Sequence, residues 1–253
     1  MKKLLLLLWM FFIGIMVHAQ SVVQITSGTA GAPAYNAGPI YRSSASSAYD
    51  VGRYSYLYTQ SELAAAGINN GDIITDLGWV KNNNATTTGG GIFRIYMKNS
   101  TAISYANATE TWANLNAGTT MVYQNLSQTI PATQAPNYIV FTLSSGFVYT
   151  GGSLEVSIEW DINQVTGNPS TAAFDWLWST VANSIYGTGQ TALSGAGTLS
   201  STTNSISTID DRRPFLQISY TPGIPCSGTP TAGTAAVTAR NCAKRAFNIV
   251  CNR

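Results

Sequence analysis

The sequence predicts an all-β fold, an antiparallel β-sandwich of jelly-roll character with one short helix. Three observations predict it. Short runs alternate apolar and polar residues with the two-residue period of strands. Clusters of Gly, Asn, Ser and Thr separate those runs, as turns do in all-β domains. The chain of 253 residues is 45% hydrophobic but only 9% charged, against about 25% charged in an ordinary domain. It can therefore fill a large core, and it must wet its surface with uncharged polar groups.

In chain order, the first element is a leader. Lys2 and Lys3 precede the apolar run from Leu4 to Val17, and Val17-His18-Ala19 offers a small residue before a cut. That is the layout of a secretory signal over residues 1–19, with cleavage after Ala19. The run is shorter than the ~20 residues needed to cross a bilayer core. The expected mature chain is secreted or held at the cell surface, with no transmembrane segment. His18 is the one histidine, so cleavage removes it. No Ser-His-Asp or Cys-His pair remains, nor an HExxH zinc site or a His-ligated copper or iron. General acid–base work would fall to carboxylates, Tyr or Lys.

Residues 20–222 read as the sandwich module. Weak strand signals cover Val22 to Ile25 and Tyr54 to Tyr58. Thr59-Gln60-Ser61-Glu62 fits a capping box, with Glu62 reaching back to the Thr59 amide, and Gly67 ends the helix. Strands are then expected at Ile73 to Lys81, Gly91 to Lys98, Met121 to Leu126, Tyr138 to Leu143, Ser153 to Asp161, Ala173 to Ser179 and Pro214 to Thr221. Gly89-Gly90-Gly91 and Gly151-Gly152 are turn signals between them. Ser153 to Asp161 alternates most strictly. Leu154, Val156, Ile158 and Trp160 point one way, and Glu155, Ser157, Glu159 and Asp161 point to an expected wet face. The loops Lys81 to Gly91 and Asn163 to Ala172 are expected to carry contacts. Residues 223–253 begin with a Pro-Gly-Ile-Pro linker and hold Cys226, Cys242 and Cys251. A tail that short cannot build its own core.

Charge divides unevenly along the chain. The formal total is +2, yet residues 20–222 hold eleven acidic and seven basic residues, a net −4. A phosphate-binding face needs the opposite sign, so nucleic acid is excluded as a partner. No Gly-rich phosphate loop is present, and no cofactor is expected.

Three features carry candidate chemistry. Glu155, Glu159 and Asp161 share a face at spacings of ~6.6 Å per two residues, a distance that glycosidase carboxylates use. Such a pair normally spans a cleft, so a solvated sheet face is the commoner explanation. Phe174, Trp176 and Trp178 alternate with Asp175 and Leu177. An exposed Trp row stacks on sugar rings, whereas a buried one is an ordinary sandwich core strand. Asp210-Asp211 could offer oxygens to calcium but lacks the spacing of a calcium loop, so a loop of paired or hydrated charges is preferred and no metal site is assigned. The ligand-binding candidates are Trp176, Trp178, Glu159 and Asp161.

Three segments resemble a known module. Tyr54 to Leu63 (YSYLYTQSEL) is similar to the "Q-x-L-Y-T-x-x-E-L" opening of a secreted β module of Bacteroidetes-type surface proteins. Phe147 to Val156 (FVYTGGSLEV) is similar to that module's Gly-Gly hairpin, and Arg213 to Tyr220 (RPFLQISY) to its closing strand. The segments occur in the family's order. Pro225 to Gly233 resembles the start of an immunoglobulin-like or fibronectin type III-like repeat, with Phe247-Asn248-Ile249 as a strand after Cys242. The repeat stops after about one strand, so a truncated second module is expected. The resemblance implies export by type IX secretion, although no stretch within residues 223–253 is similar to the sorting domain such proteins carry. The resemblance points to a Cys226–Cys242 disulfide that leaves Cys251 over, although three cysteines in an exported chain allow other pairings. It implies a non-catalytic adhesion or recognition module whose partner is an extracellular glycan or surface polymer. Two alternatives stand beside it: an accessory carbohydrate-binding domain of a secreted hydrolase, and a structural spacer in a surface filament.

Overall fold

Alternating apolar side chains in these runs build two antiparallel sheets. A computed structural model describes residues 20–31, 38–40, 51–87, 89–161, 174–187, 205–206 and 208–223. The predicted leader, the 163–172 loop and the tail with Cys226, Cys242 and Cys251 lie outside the described residues.

The strands are β1 (Ser21–Ile25), β2 (Thr29–Ala30), β3 (Val51–Tyr58), β4 (Ile73–Trp79), β5 (Gly91–Ser100), β6 (Glu110–Thr111) and β7 (Thr120–Gln128). They continue with β8 (Ile139–Val148), β9 (Ser153–Asp161), β10 (Trp178–Gly187), β11 (Ser205–Ile206), β12 (Thr208–Pro214) and β13 (Leu216–Thr221). Two short helices are α1 (Gln60–Ala65) and α2 (Trp112–Asn116). A four-stranded sheet has the order β1-β13-β4-β8. A seven-stranded sheet has the order β12-β10-β3-β9-β5-β7, with β2 also paired to β10. A two-stranded ladder joins β11 to β6. This is the all-β sandwich the sequence predicts, with one helix more than expected among the described residues.

The core lies between the two large sheets. Leu77, Trp79, Phe141 and Ile218 of the smaller sheet meet Tyr56, Phe93, Val156, Ile158 and Trp160 of the larger. Phe93 and Phe141 bring the layers together with ring centroids 5.0 Å apart. Gly91 is required there, because a Cβ would collide with the Trp160 ring. Each such side chain contributes roughly 1.5–3 kcal/mol when fully buried.

The resemblance motifs meet in space. The Glu62 carboxylate reaches back to the Thr59 amide at 2.8 Å, as expected of a capping box. It also receives the Arg213 guanidinium in a fork. Arg213 donates to Leu57 O at 2.6 Å and lies 4.4 Å over the Tyr58 ring. Tyr220 donates to Gly67 O at 3.0 Å. These residues clamp the opening segment, α1 and the closing strands to one another.

Several expectations need correction. The Gly151-Gly152 turn, with φ of +89° and +78°, joins β8 to β9, but these strands belong to different sheets. It is a crossover, not a hairpin. The run ending at Ser179 is a strand only from Trp178 onward, and Trp176 makes an isolated bridge to Lys81. Asp210-Asp211 lies within β12, at the sheet edge, rather than in a loop. Charged residues suit an edge because they discourage pairing with another chain.

Candidate outer-face recognition site

β9 keeps its strict alternation, yet all nine of its residues are buried. The expected wet face is covered. One side faces the core, and the other is roofed by residues 101–119, the excursion between β5 and β7. That roof has its own apolar cluster: Tyr105, Trp112 and Leu115 meet Leu57, Tyr186 and Ile206.

Local rules explain the roof. Thr111 caps α2 by accepting the Asn114 amide at 3.2 Å. Trp112 and Leu115, three residues apart, then fall on one helix face and turn inward. α2 is far too short to persist alone and depends on that packing. A Thr before an i, i+3 pair of Trp and Leu was a readable signal. The sequence-based expectation of one helix missed it.

Beneath the roof the sheet is charged but neutralised. Glu159 Oε1 accepts from Arg53 Nε at 3.0 Å and lies 2.9 Å from Arg53 Nη2. Glu159 Oε2 accepts from Tyr96 at 2.8 Å and lies 3.7 Å from Arg94 Nη1. Glu155 pairs with Lys98 at 3.1 Å. Ser55 bridges the Tyr105 hydroxyl (2.8 Å) and Ser157 (2.9 Å). Burial, and then the neighbouring Glu159 carboxylate, push the Tyr96 hydroxyl above its usual range, so it stays a donor. Arg53 also lies 5.1 Å over the Trp112 ring.

This placement decides what the carboxylates can do. A carboxylate has about four acceptor sites, and Glu159 has contacts at both oxygens with two guanidiniums and a phenol. Asp161 is buried at the end of the same face.

The tryptophan candidates separate from that face. Trp176 is buried in the main core, where Gly38 abuts its ring and its indole N–H donates to Ile40 O at 2.7 Å. It cannot present a stacking surface. Trp178 is half-buried under Gly31. The structure therefore does not gather Trp176, Trp178, Glu159 and Asp161 into one site.

Among the described residues, the open part of the outer face lies on β5 and β7. The Arg94 side chain is 24% exposed, and its Nε donates to Gln124 at 3.1 Å. Met121 and Leu126 are exposed on either side of Gln124, at 46% and 57%. Tyr96 stands half-buried beside Trp112, ring centroids 6.2 Å apart. Sequence reasoning missed this strip because Arg94 and Gln124 become neighbours only through β5–β7 register.

No family model and no curated protein matches the chain. Among solved structures it is similar to the cysteine protease and lectin-like domains of Cwp84, a surface layer associated protein of Clostridium difficile. Identity is 8% and the TM-score 0.38, over 69% of this chain and 33% of that one. The chain thus spans about a third of that protein, and a likeness so loose assigns neither fold family nor ligand. Among the described residues, no helix is long and apolar enough to cross a membrane. Among the same residues, no group of three His, Cys, Asp or Glu is placed to hold a metal ion.

Proposed function

We propose that the chain is a secreted, non-catalytic recognition or adhesion module of the Bacteroidetes-type surface class, and that it binds a neutral glycan or surface polymer. The observation that carries this reading is the strip of Arg94, Gln124, Met121 and Leu126 beside Tyr96. Its planar donors are held in place by partners in the sheet, and the Arg94 charge is offset by Glu159. Oriented donors between apolar patches suit a polyhydroxyl chain, whose rings have apolar faces and polar rims. A compensated guanidinium suits a neutral ligand better than an anion. The ion pairs of Glu159 and Glu155 also favour binding over carboxylate catalysis, since a general acid or base needs a free oxygen near its substrate.

Affinity electrophoresis of the full chain in β-glucan, mannan and xylan tests the proposal. Retardation by at least one is expected, with a loss of about tenfold or more in affinity for the Arg94→Ala, Gln124→Ala double variant. Unretarded migration in all three, or equal retardation of the double variant, would sink it.

A further inference from the structure

We propose that residues 101–119 form a cover that lifts from the seven-stranded sheet as one unit while the sandwich stays folded, opening the paired-charge face to ligand. The lifting stands on the geometry alone. The ligand half rests on the recognition reading above.

The cover is attached separately from the main core. Its apolar contacts form their own cluster around Tyr105, Trp112 and Leu115. Among the described residues its polar attachments are few. The Tyr105 hydroxyl lies 2.8 Å from Ser55 Oγ, which keeps its Ser157 partner when the cover lifts. Tyr105 N donates to Asn183 O at 2.8 Å, and Tyr186 donates to Asn107 O at 2.7 Å. Lys98 Nζ donates to Leu115 O at 3.0 Å. The ladder to β11 is two residues long.

The face below loses little when uncovered. Arg53–Glu159, Lys98–Glu155 and Ser55–Ser157 are contacts between neighbouring strands of one sheet. Lifting the cover hydrates these pairs without separating them. Leaving a buried charge unpaired costs several kcal/mol, and this opening leaves none. Baring the main core would expose apolar surface that has no such compensation. Local opening is therefore expected well below the free energy of global unfolding. Once open, Arg53 and Ser157 extend the Arg94–Gln124 strip across two further strands.

Two single cysteine substitutions at adjacent residues of β9 test the cover. Ser157→Cys lies under it, and Val156→Cys faces the main core; both positions are fully buried. The full chain is labelled with a small thiol reagent, and each site, native cysteines included, is read by peptide mass spectrometry. The thiol at position 157 is expected to label at least about tenfold faster than the thiol at position 156. Its rate should be nearly flat in low urea, while that at position 156 rises steeply, because a small opening exposes little surface. Trp112→Ala should accelerate labelling at position 157 further. Equal rates with equal urea dependence would overturn the cover. Hydrogen exchange of the unaltered chain reads the same opening without substitution: amides of 105–116 should exchange together and faster than those of β9, and exchange in step with β9 would overturn it.

The ligand half is read separately. With the retarding polysaccharide at saturation, cover amides should exchange faster while the thiol at position 157 is protected. Unchanged cover exchange would refute gating. If none of the three polysaccharides binds, the recognition reading and the ligand half fall together, and the labelling rates still decide the cover.

Discussion

The Arg213 guanidinium lies over Tyr58 while its hydrogen bonds run to Leu57 and Glu62. Burial alone would raise the Glu62 carboxyl. Hydrogen bonding and charge from Arg213, with help from Thr59, outweigh burial and hold it near 2, below its ordinary 4.5. A depressed carboxyl stabilises the fold above its unfolded pKa, and that contribution fades as pH falls from about 4.5 to about 2. Glu62→Gln is expected to cost about 2 kcal/mol at pH 7, discounted because water reaches one flank of the carboxylate, and nothing below pH 2. Urea unfolding at the two pH values checks this. Lys81 behaves oppositely. It is fully buried, its Nζ donates to Asn83 O at 2.8 Å, and burial lowers it from 10.5 to about 8. Between pH 8 and 10 the unfolded chain holds this proton and the folded chain does not, so stability should rise with pH. Above pH 10 the buried tyrosines, Tyr58 and Tyr96 among them, reverse the trend, because they ionise only on unfolding. Lys81→Met should abolish the rise, measured by urea midpoints from pH 7 to 9.5. The sequence marked Glu62 through its capping box. It could not mark Arg213 as its partner, because the two lie far apart along the chain.

At the scale of elements, β9 shows what a two-residue period reports. The alternation from Ser153 to Asp161 was legible and its bounds were right. Its meaning was not, because period records sidedness rather than access to water. The roof over the polar side comes from residues 101–119, whose position no local pattern encodes. The same limit explains the tryptophans: Gly31 and Gly38, from a distant segment, cover Trp178 and Trp176. β12 was legible as charge and illegible as strand, since Asp-Asp-Arg-Arg fits a loop by composition. The covered face yields a prediction of its own. Glu159→Ala leaves Arg53 buried without that partner and is expected to cost about 3–5 kcal/mol, while Glu159→Gln retains acceptors and costs less. Denaturant unfolding of both variants distinguishes them. Equal losses would mean that charge, rather than the vacated contacts, dominates.

For the whole molecule, composition and alternation were enough to give the sandwich, because burying two apolar faces against each other is a global demand that every strand signals locally. Sheet order was not, because pairing depends on crossovers that leave no residue signature. One of those pairings has a mechanical consequence. β1 and β13 lie side by side and antiparallel, with Ser21 opposite Tyr220 and Ile25 opposite Leu216. A pull on the chain before β1 and after β13 acts at the same end of that ladder. It opens the bonds one at a time, as a zipper, instead of loading them together in shear. The tear then reaches β2, which is fastened to β10 in the other sheet, and there it should halt. Force spectroscopy on the chain tethered at both ends should show an early, low-force release of a few residues before the sandwich yields; a single high-force rupture would contradict it. Under tension the domain would behave as a short extensible link, giving first at its margin and sparing the outer face of the larger sheet.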